Sequence, residues 1–309
     1  TFTELPGPPA AGRAVEVVER KGLGHPDTLS DAFAEAASAA LSRFYLDRFG
    51  MILHHNLDKV LLWGGAAHAE FGGGEVLAPI EVFIAGRAIR EHRGVSVPVD
   101  ELIAEACRAY VRDNLRNLDP DRHLKLHCLV RPGSADLVEL YSRQRATGAF
   151  LANDTSIGVG FAPATPLETL VLRIESELNA PATKHAQPEL GEDVKVMGVR
   201  AGGQVELTVA CAFVARHVRD LADYLAKKEH AAARVRALAA SSGFAEAAVG
   251  VNVADDPANG SVYLTVTGLS AHGDADDLLR WVRTMPRPPR RAYVVHGEPP
   301  AAQALAARL

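Results

Sequence analysis

The stretch "ERKGLGHPDTLSDAFAEA", residues 19–36, constrains the fold of this chain more than any other. A glycine-broken loop runs straight into an amphipathic segment, with a proline at the joint. Proline is pre-organised for the first helical turn, and the residue before it is pushed towards extended backbone, so a helix is expected to start at His25-Pro26-Asp27. From there Leu29, Phe33, Ala37, Leu41, Phe44 and Tyr45 recur at helical spacing, and Gly50 supplies a stop. The unpaired N–H groups of such a helix start attract anions. A phosphate docked against "KGLG", Asp27 holding Mg²⁺ beside it and His25 donating to the same oxygens make one coherent corner. Asp27, Asp31 and Glu35 at i, i+4 and i+8 share a helical face. The competing local reading is plainer: Asp27 caps the helix, Asp31 and Glu35 are solvated, and His25 is an ordinary loop residue.

Downstream, "KVLLWGGAAHAEFGGGEVLAPIEVFIAGRA" reads as short strands separated by glycine turns and bulges, and residues 99–118 as a second amphipathic helix. Further strands are predicted near 124–130, 156–161, 205–214 and 262–268, and helices near 167–178 and 217–240. Helices and strands mixed without regular βαβ alternation point to an α+β fold, stacked layers of mostly antiparallel sheets with helices on one face. "PRPPRR" (286–291) reads as a stiff connector into a last strand, "AYVVHGEPP".

Composition enters as a set of exclusions. A chain of 309 residues with 48% hydrophobic content has enough apolar side chain for one large core or several ordinary ones. A net charge of -5 without a long Lys/Arg block argues against nucleic-acid binding by phosphate neutralisation, leaving small molecules or protein as partners. Cys107, Cys128 and Cys211 form neither a disulfide framework nor a zinc knuckle, which fits a cytoplasmic protein. No apolar run is long enough for a membrane helix, and "TFTELPGPPAAGR" is not expected to be a targeting segment.

Other polar clusters carry two readings each. "LANDTSIGVG" (151–160) is a ligand loop with Asp154 reaching a hydroxyl or amine, or an Asx turn before a strand. Asp193 and Lys195 in "GEDVKVM" share a strand face suited to a nucleotide, or are a solvated charge pair. His123, Lys125 and His127 are a metal set or, more plainly, an exposed strand face. His54 and His55, being adjacent, point to opposite sides of a strand. Walker, GxGxxG, HExxH and GxSxG signatures do not occur.

Taken in order, "VERKGLGHPD", "ILHHNLDKVLLWGGAAHAEFGGG", "LAPIEVFIAGRA", "LANDTSIGVGFAP", "GEDVKVMG" and "VYLTVTG" closely resemble the archaeal-type S-adenosylmethionine synthetases, from near Val15 to Gly268. The resemblance implies two to three interleaved α+β domains after an N-terminal arm (1–14). It implies an enzyme joining ATP and methionine, with release of phosphate and pyrophosphate, as a homodimer with Mg²⁺ and, optionally, K⁺. Matched by motif, His25, Asp27 and Lys195 take catalytic roles, His25 and Lys195 against phosphate and Asp27 on Mg²⁺. Glu19, Asp154 and Asp193 line adenosine or methionine. Gly133, Ser134 and Asp136 belong to a nucleotide-binding segment whose usual first glycine and glutamine are here Arg131 and Pro132.

After Gly268 the family is expected to continue with a "GDDGSVGRGNR"-type loop and an "SGKNP" segment. The residues from 269 to 309 instead resemble the C-terminal segment of metallo-β-lactamase-fold RNA-processing nucleases. His296 matches a zinc ligand there, but the companion HxHxDH motif is absent, so His272 and His296 do not by themselves make a hydrolytic centre. The expectation at this point is a synthetase-like region with an incomplete last domain and a foreign tail. The alternative to turnover is a module that binds ATP or polyphosphate as an impaired homologue or regulatory subunit.

Overall fold

A computed structural model describes residues 7–133, 148, 160–255, 257 and 262–269. Two hydrophobic cores organise it. The first is built on α1 (Pro26–Phe49) and α2 (Val99–Asn114). Every fourth residue of α1 from Leu29 to Tyr45 is buried, as are Val99, Ile103, Cys107 and Val111 of α2. These stripes pack on each other and on a three-stranded sheet ordered β2 (His55–Trp63), β5 (Ile80–Ala88), β8 (Leu124–Arg131). Two short hairpins lie beside it, β3–β4 (Ala66–Glu70, Gly73–Ala78) and β6–β7 (Glu91–His92, Val95–Ser96).

The second core packs α3 (Pro166–Asn179) and α5 (Leu221–Ser241) on a larger sheet ordered β1 (Val15–Lys21), β9 (Leu190–Ala201), β10 (Gln204–Val214), β11 (Ala248–Val251), with β12 (Leu264–Thr265) also on β10. A single-turn helix, α4 (Pro181–Ala186), joins α3 to β9. α3 starts on a full capping box: Thr165 Oγ1 accepts from Glu168 N–H at 3.1 Å, and Thr165 N–H donates to Glu168 Oε2 at 2.6 Å.

The expected α+β layering holds, with helices on one face of each sheet. The other faces carry exposed apolar side chains: Leu61, Trp63 and Leu129 on the first sheet, Val15 and Val17 on the second. The sheets are less purely antiparallel than predicted. β5–β8, β10–β11 and β10–β12 are parallel. Parallel partners need a long crossover, and α2 and α5 supply it between β5 and β8 and between β10 and β11. Of the strand predicted at 262–268 only Leu264–Thr265 pairs. The strand near 156–161, apart from its last two residues, and all of 270–309 lie outside the described residues.

The topology puts one loop in a special place. β1 belongs to the second sheet and α1 to the first core, so Gly22–His25 is where the chain crosses between them.

Candidate functional site

The crossover loop is laid against β9 by backbone hydrogen bonds. Gly22 N–H donates to Val194 O at 2.7 Å and Gly24 N–H to Glu192 O at 3.1 Å. Both glycines are required by space rather than by φ. A Cβ on Gly22 would sit 2.6 Å from Asn179 Nδ2, and one on Gly24 would sit 2.5 Å from the Glu192 carbonyl carbon. The motif "GLG" therefore encodes a backbone-on-backbone contact between loop and strand.

Helix α1 starts at Pro26, as the sequence predicts, but its N-cap is His25 and not Asp27, which lies in the first turn. The cap is the imidazole itself: Nδ1 accepts from Asp27 N–H at 3.2 Å. In the neutral ring this leaves the proton on Nε2, available as a donor. Burial pushes His25 below the ordinary histidine range, against the opposing pull of Asp193 and Asp27. The neutral, Nε2-protonated ring is thus the resting form.

The β1–β9 register brings the remaining predicted groups to this corner. Lys21 lies opposite Lys195 and Glu19 opposite Met197. Lys195 Nζ pairs with Glu19 Oε2 at 2.8 Å, and Lys21 Nζ with Asp27 Oδ2 at 2.5 Å. The hydrogen bond to Asp27 is the main reason the Lys21 ammonium is held above its usual value. Asp27 is open to solvent, its side chain 62% exposed, whereas Asp193 is 5% exposed beneath the loop and acts on His25 through its charge.

Five predicted residues, Glu19, His25, Asp27, Asp193 and Lys195, therefore converge. Gly133 is just past the end of β8, where Pro132 O accepts from Arg87 Nη1 at 3.1 Å. Ser134, Asp136 and Asp154 lie outside the described residues. Asp31 and Glu35 are exposed on α1, as the plainer reading had it. The set His123, Lys125 and His127 forms no metal site: Lys125 and His127 both bond Glu81 Oε2, at 3.1 and 2.5 Å, and His127 stacks on Phe83 with ring centroids 4.3 Å apart.

Lys21 is not among the residues the motifs single out, although alternation along β1 places it on the face of Glu19. No local pattern signals Arg116 and Glu192, because their contact at 2.6 Å spans 76 positions of sequence.

Beside the corner, an apolar cavity of about 400 Å³ is walled by Pro26 and Leu29 of α1, Trp63, Val76 and the 264–269 segment. Among the described residues no three or more His, Cys, Asp or Glu side chains cluster as a metal cage. Mg²⁺ seldom needs one. It keeps several waters and takes one or two carboxylates together with substrate phosphates. An exposed carboxylate at a helix start, with Lys21 against it, fits that mode.

The model of the S-adenosylmethionine synthetase (AdoMet synthetase) family matches residues 2–283. A probable S-adenosylmethionine synthase of Aquifex aeolicus is 50% identical over 269 residues, covering 87% of this chain and 67% of the relative. S-adenosylmethionine synthases of Pyrobaculum neutrophilum and Hyperthermus butylicus are each 49% identical, covering 86% of this chain and 67% and 66% of theirs. This chain belongs to the S-adenosylmethionine synthetase family. It spans about two thirds of the length of these relatives. A solved structure of an unusual S-adenosylmethionine synthetase from Campylobacter jejuni aligns with a TM-score of 0.43 at 11% identity, over 84% of this chain and 62% of that one. A second model, the Zn-dependent metallo-hydrolase RNA specificity domain, matches residues 263–309 and overlaps the first between 263 and 283. Among the described residues no helix is long and apolar enough to cross a membrane.

Proposed function

We propose that the chain is a methionine adenosyltransferase, forming S-adenosylmethionine from ATP and methionine, and that the corner around His25 is its triphosphate and Mg²⁺ end. The observation that carries the reading is the convergence of His25, Asp27, Lys21, Lys195 and Glu19 on one helix start, in a chain about half identical to named synthases.

The chemistry asks for two things: a nucleophilic sulfur held in line with a ribose carbon, and a leaving triphosphate whose charge is neutralised. The first turn of α1 offers N–H donors and the positive end of the helix dipole to the phosphates. Neutral His25 offers its Nε2–H, a donor that costs no proton at physiological pH. Lys21 and Lys195 bring charge, and each is kept in place by a carboxylate it exchanges for phosphate when substrate enters. Asp27, paired with Lys21 in this structure, is the residue that would hold Mg²⁺. The ion, when bound, supplies further charge neutralisation on the phosphate oxygens. Asp193 lies buried beside the loop. The apolar cavity next to Pro26 has the size and lining for an uncharged part of a substrate.

Two features belong to the same reading. The uncovered apolar sheet faces support a homodimer. The three free cysteines support a reducing cytoplasmic setting. The test is direct: incubate the purified chain with ATP, methionine, Mg²⁺ and K⁺, and measure S-adenosylmethionine, pyrophosphate and phosphate. Product formation is expected. ATP binding without product rejects the enzyme and favours a binding or regulatory homologue.

A further inference from the structure

The loop carrying His25 joins the two cores, so its position depends on how they dock. One side chain outside the corner makes that docking specific. Leu115 and Leu118 are buried in the first core, and between them Arg116 turns its guanidinium onto β9 of the second. Its Nε donates to Glu192 Oε1 at 2.6 Å, Nη2 to Leu190 O at 2.6 Å and Nη1 to Lys184 O at 3.2 Å. Glu192 is 3% exposed, and its carbonyl is the one that receives Gly24 N–H. The guanidinium and the loop thus grip the same residue, one by its carboxylate and one by its backbone.

Lesser contacts act alongside. Arg216 Nη2 donates to Asn117 Oδ1, and Gly72 N–H reaches Ala215 O and Val218 O at 3.1 and 2.7 Å. Lys184, also buried, bonds Leu190 O and Gly191 O, but it sits on α4 of the same lobe and so stiffens the strand without tying the cores together.

We propose that Arg116 is a positioning residue of the adenosyl-transfer site. Anchored in the first core, it fixes Glu192 and the Leu190–Glu192 backbone, and through them the Gly22–His25 loop, so that lobe docking sets where His25 and Asp27 stand. The proposal rests on the function proposed above only for its catalytic consequence.

Removing Arg116, whose side chain is itself 36% exposed, leaves the buried Glu192 carboxylate uncompensated, whereas replacing both partners by apolar groups is often neutral for stability. The test therefore compares Arg116→Ala with the double variant Arg116→Met/Glu192→Met. Hydrogen exchange is followed at the Gly22 and Gly24 amides against amides of the β5–β8 ladder, and kcat and KM are measured for both substrates. Both variants are expected to speed exchange at Gly22 and Gly24 by about 10-fold or more, as for the loss of one anchoring contact, leaving β5–β8 unchanged. Both are also expected to lower kcat by about 100-fold, as for an ångström-scale misplacement, with little change in KM. The double variant is expected to recover the unfolding midpoint but not kcat. Unchanged exchange at both glycines, or a double variant that regains wild-type kcat, overturns the proposal. A wild-type chain without turnover would sink the functional reading, and the exchange result would still decide the positioning.

Discussion

At the scale of single residues the site turns on two groups, His25 and Asp27. Asp27→Asn keeps the size and the helix start but removes the charge, so Mg²⁺-dependent nucleotide binding is expected to be lost; calorimetry showing unchanged affinity would remove Asp27 from the metal. His25 makes a prediction in pH. Its folded pKa is depressed chiefly by burial, so above the unfolded value of about 6.5 both states are neutral and no proton linkage acts. As the pH falls below about 6.5, the unfolded chain binds a proton that the folded ring resists, and stability is lost down to the folded pKa. Protonation of Nδ1 would also cost the cap to Asp27 N–H. Urea unfolding between pH 5 and 8 should therefore show a slope in that window which His25→Gln reduces; identical slopes would put the titration elsewhere.

At the scale of elements, the clearest dependence is on the start of α3. Thr165 closes the capping box and also donates to the buried Glu16, which Arg200 holds from the other side at 3.1 Å. Thr165→Ala is expected to cost about 1–2 kcal/mol from the cap alone, with a further loss from the weakened Glu16. Denaturant midpoints at unchanged m-value would check this, and a shift under about 0.5 kcal/mol would show the cap to be redundant. The sequence predicts α1 to within a residue at its start because proline, a buried stripe at every fourth position and Gly50 in the left-handed region all agree. It predicts the strand at 262–268 poorly, since "VYLTVTG" has the right propensity but only Leu264–Thr265 finds a partner on β10. Strand formation is a property of pairs, and the propensity of one segment does not say where its partner lies.

At the scale of the whole molecule, each sheet has one face closed by helices and one left open with large apolar side chains. Trp63 is 62% exposed and Val17 61%. In the homodimer proposed above these faces would become core. Leu61→Lys with Trp63→Glu is expected to shift the chain to monomer in analytical ultracentrifugation, leaving each lobe folded by circular dichroism. A dimer that persists would move the interface off the first sheet.

The sequence by itself determined the local chemistry: a helix beginning at Pro26, a glycine loop before it, Asp193 and Lys195 alternating on one strand, and the family whose motifs these are. Periodicity and turn chemistry are short-range, so they are legible from neighbouring letters. Only the tertiary structure decided that "RKGLGHPD" lies against "GEDVKVM", that Gly22 and Gly24 are glycines because a backbone passes within 3 Å of where a Cβ would be, and that Lys21 joins the site. It alone revealed Arg116, whose partner is 76 positions away and whose neighbours in sequence carry no sign of it. Contacts of that span are set by how two cores dock, and docking is a sum over many weak packing terms that no single segment of the chain encodes.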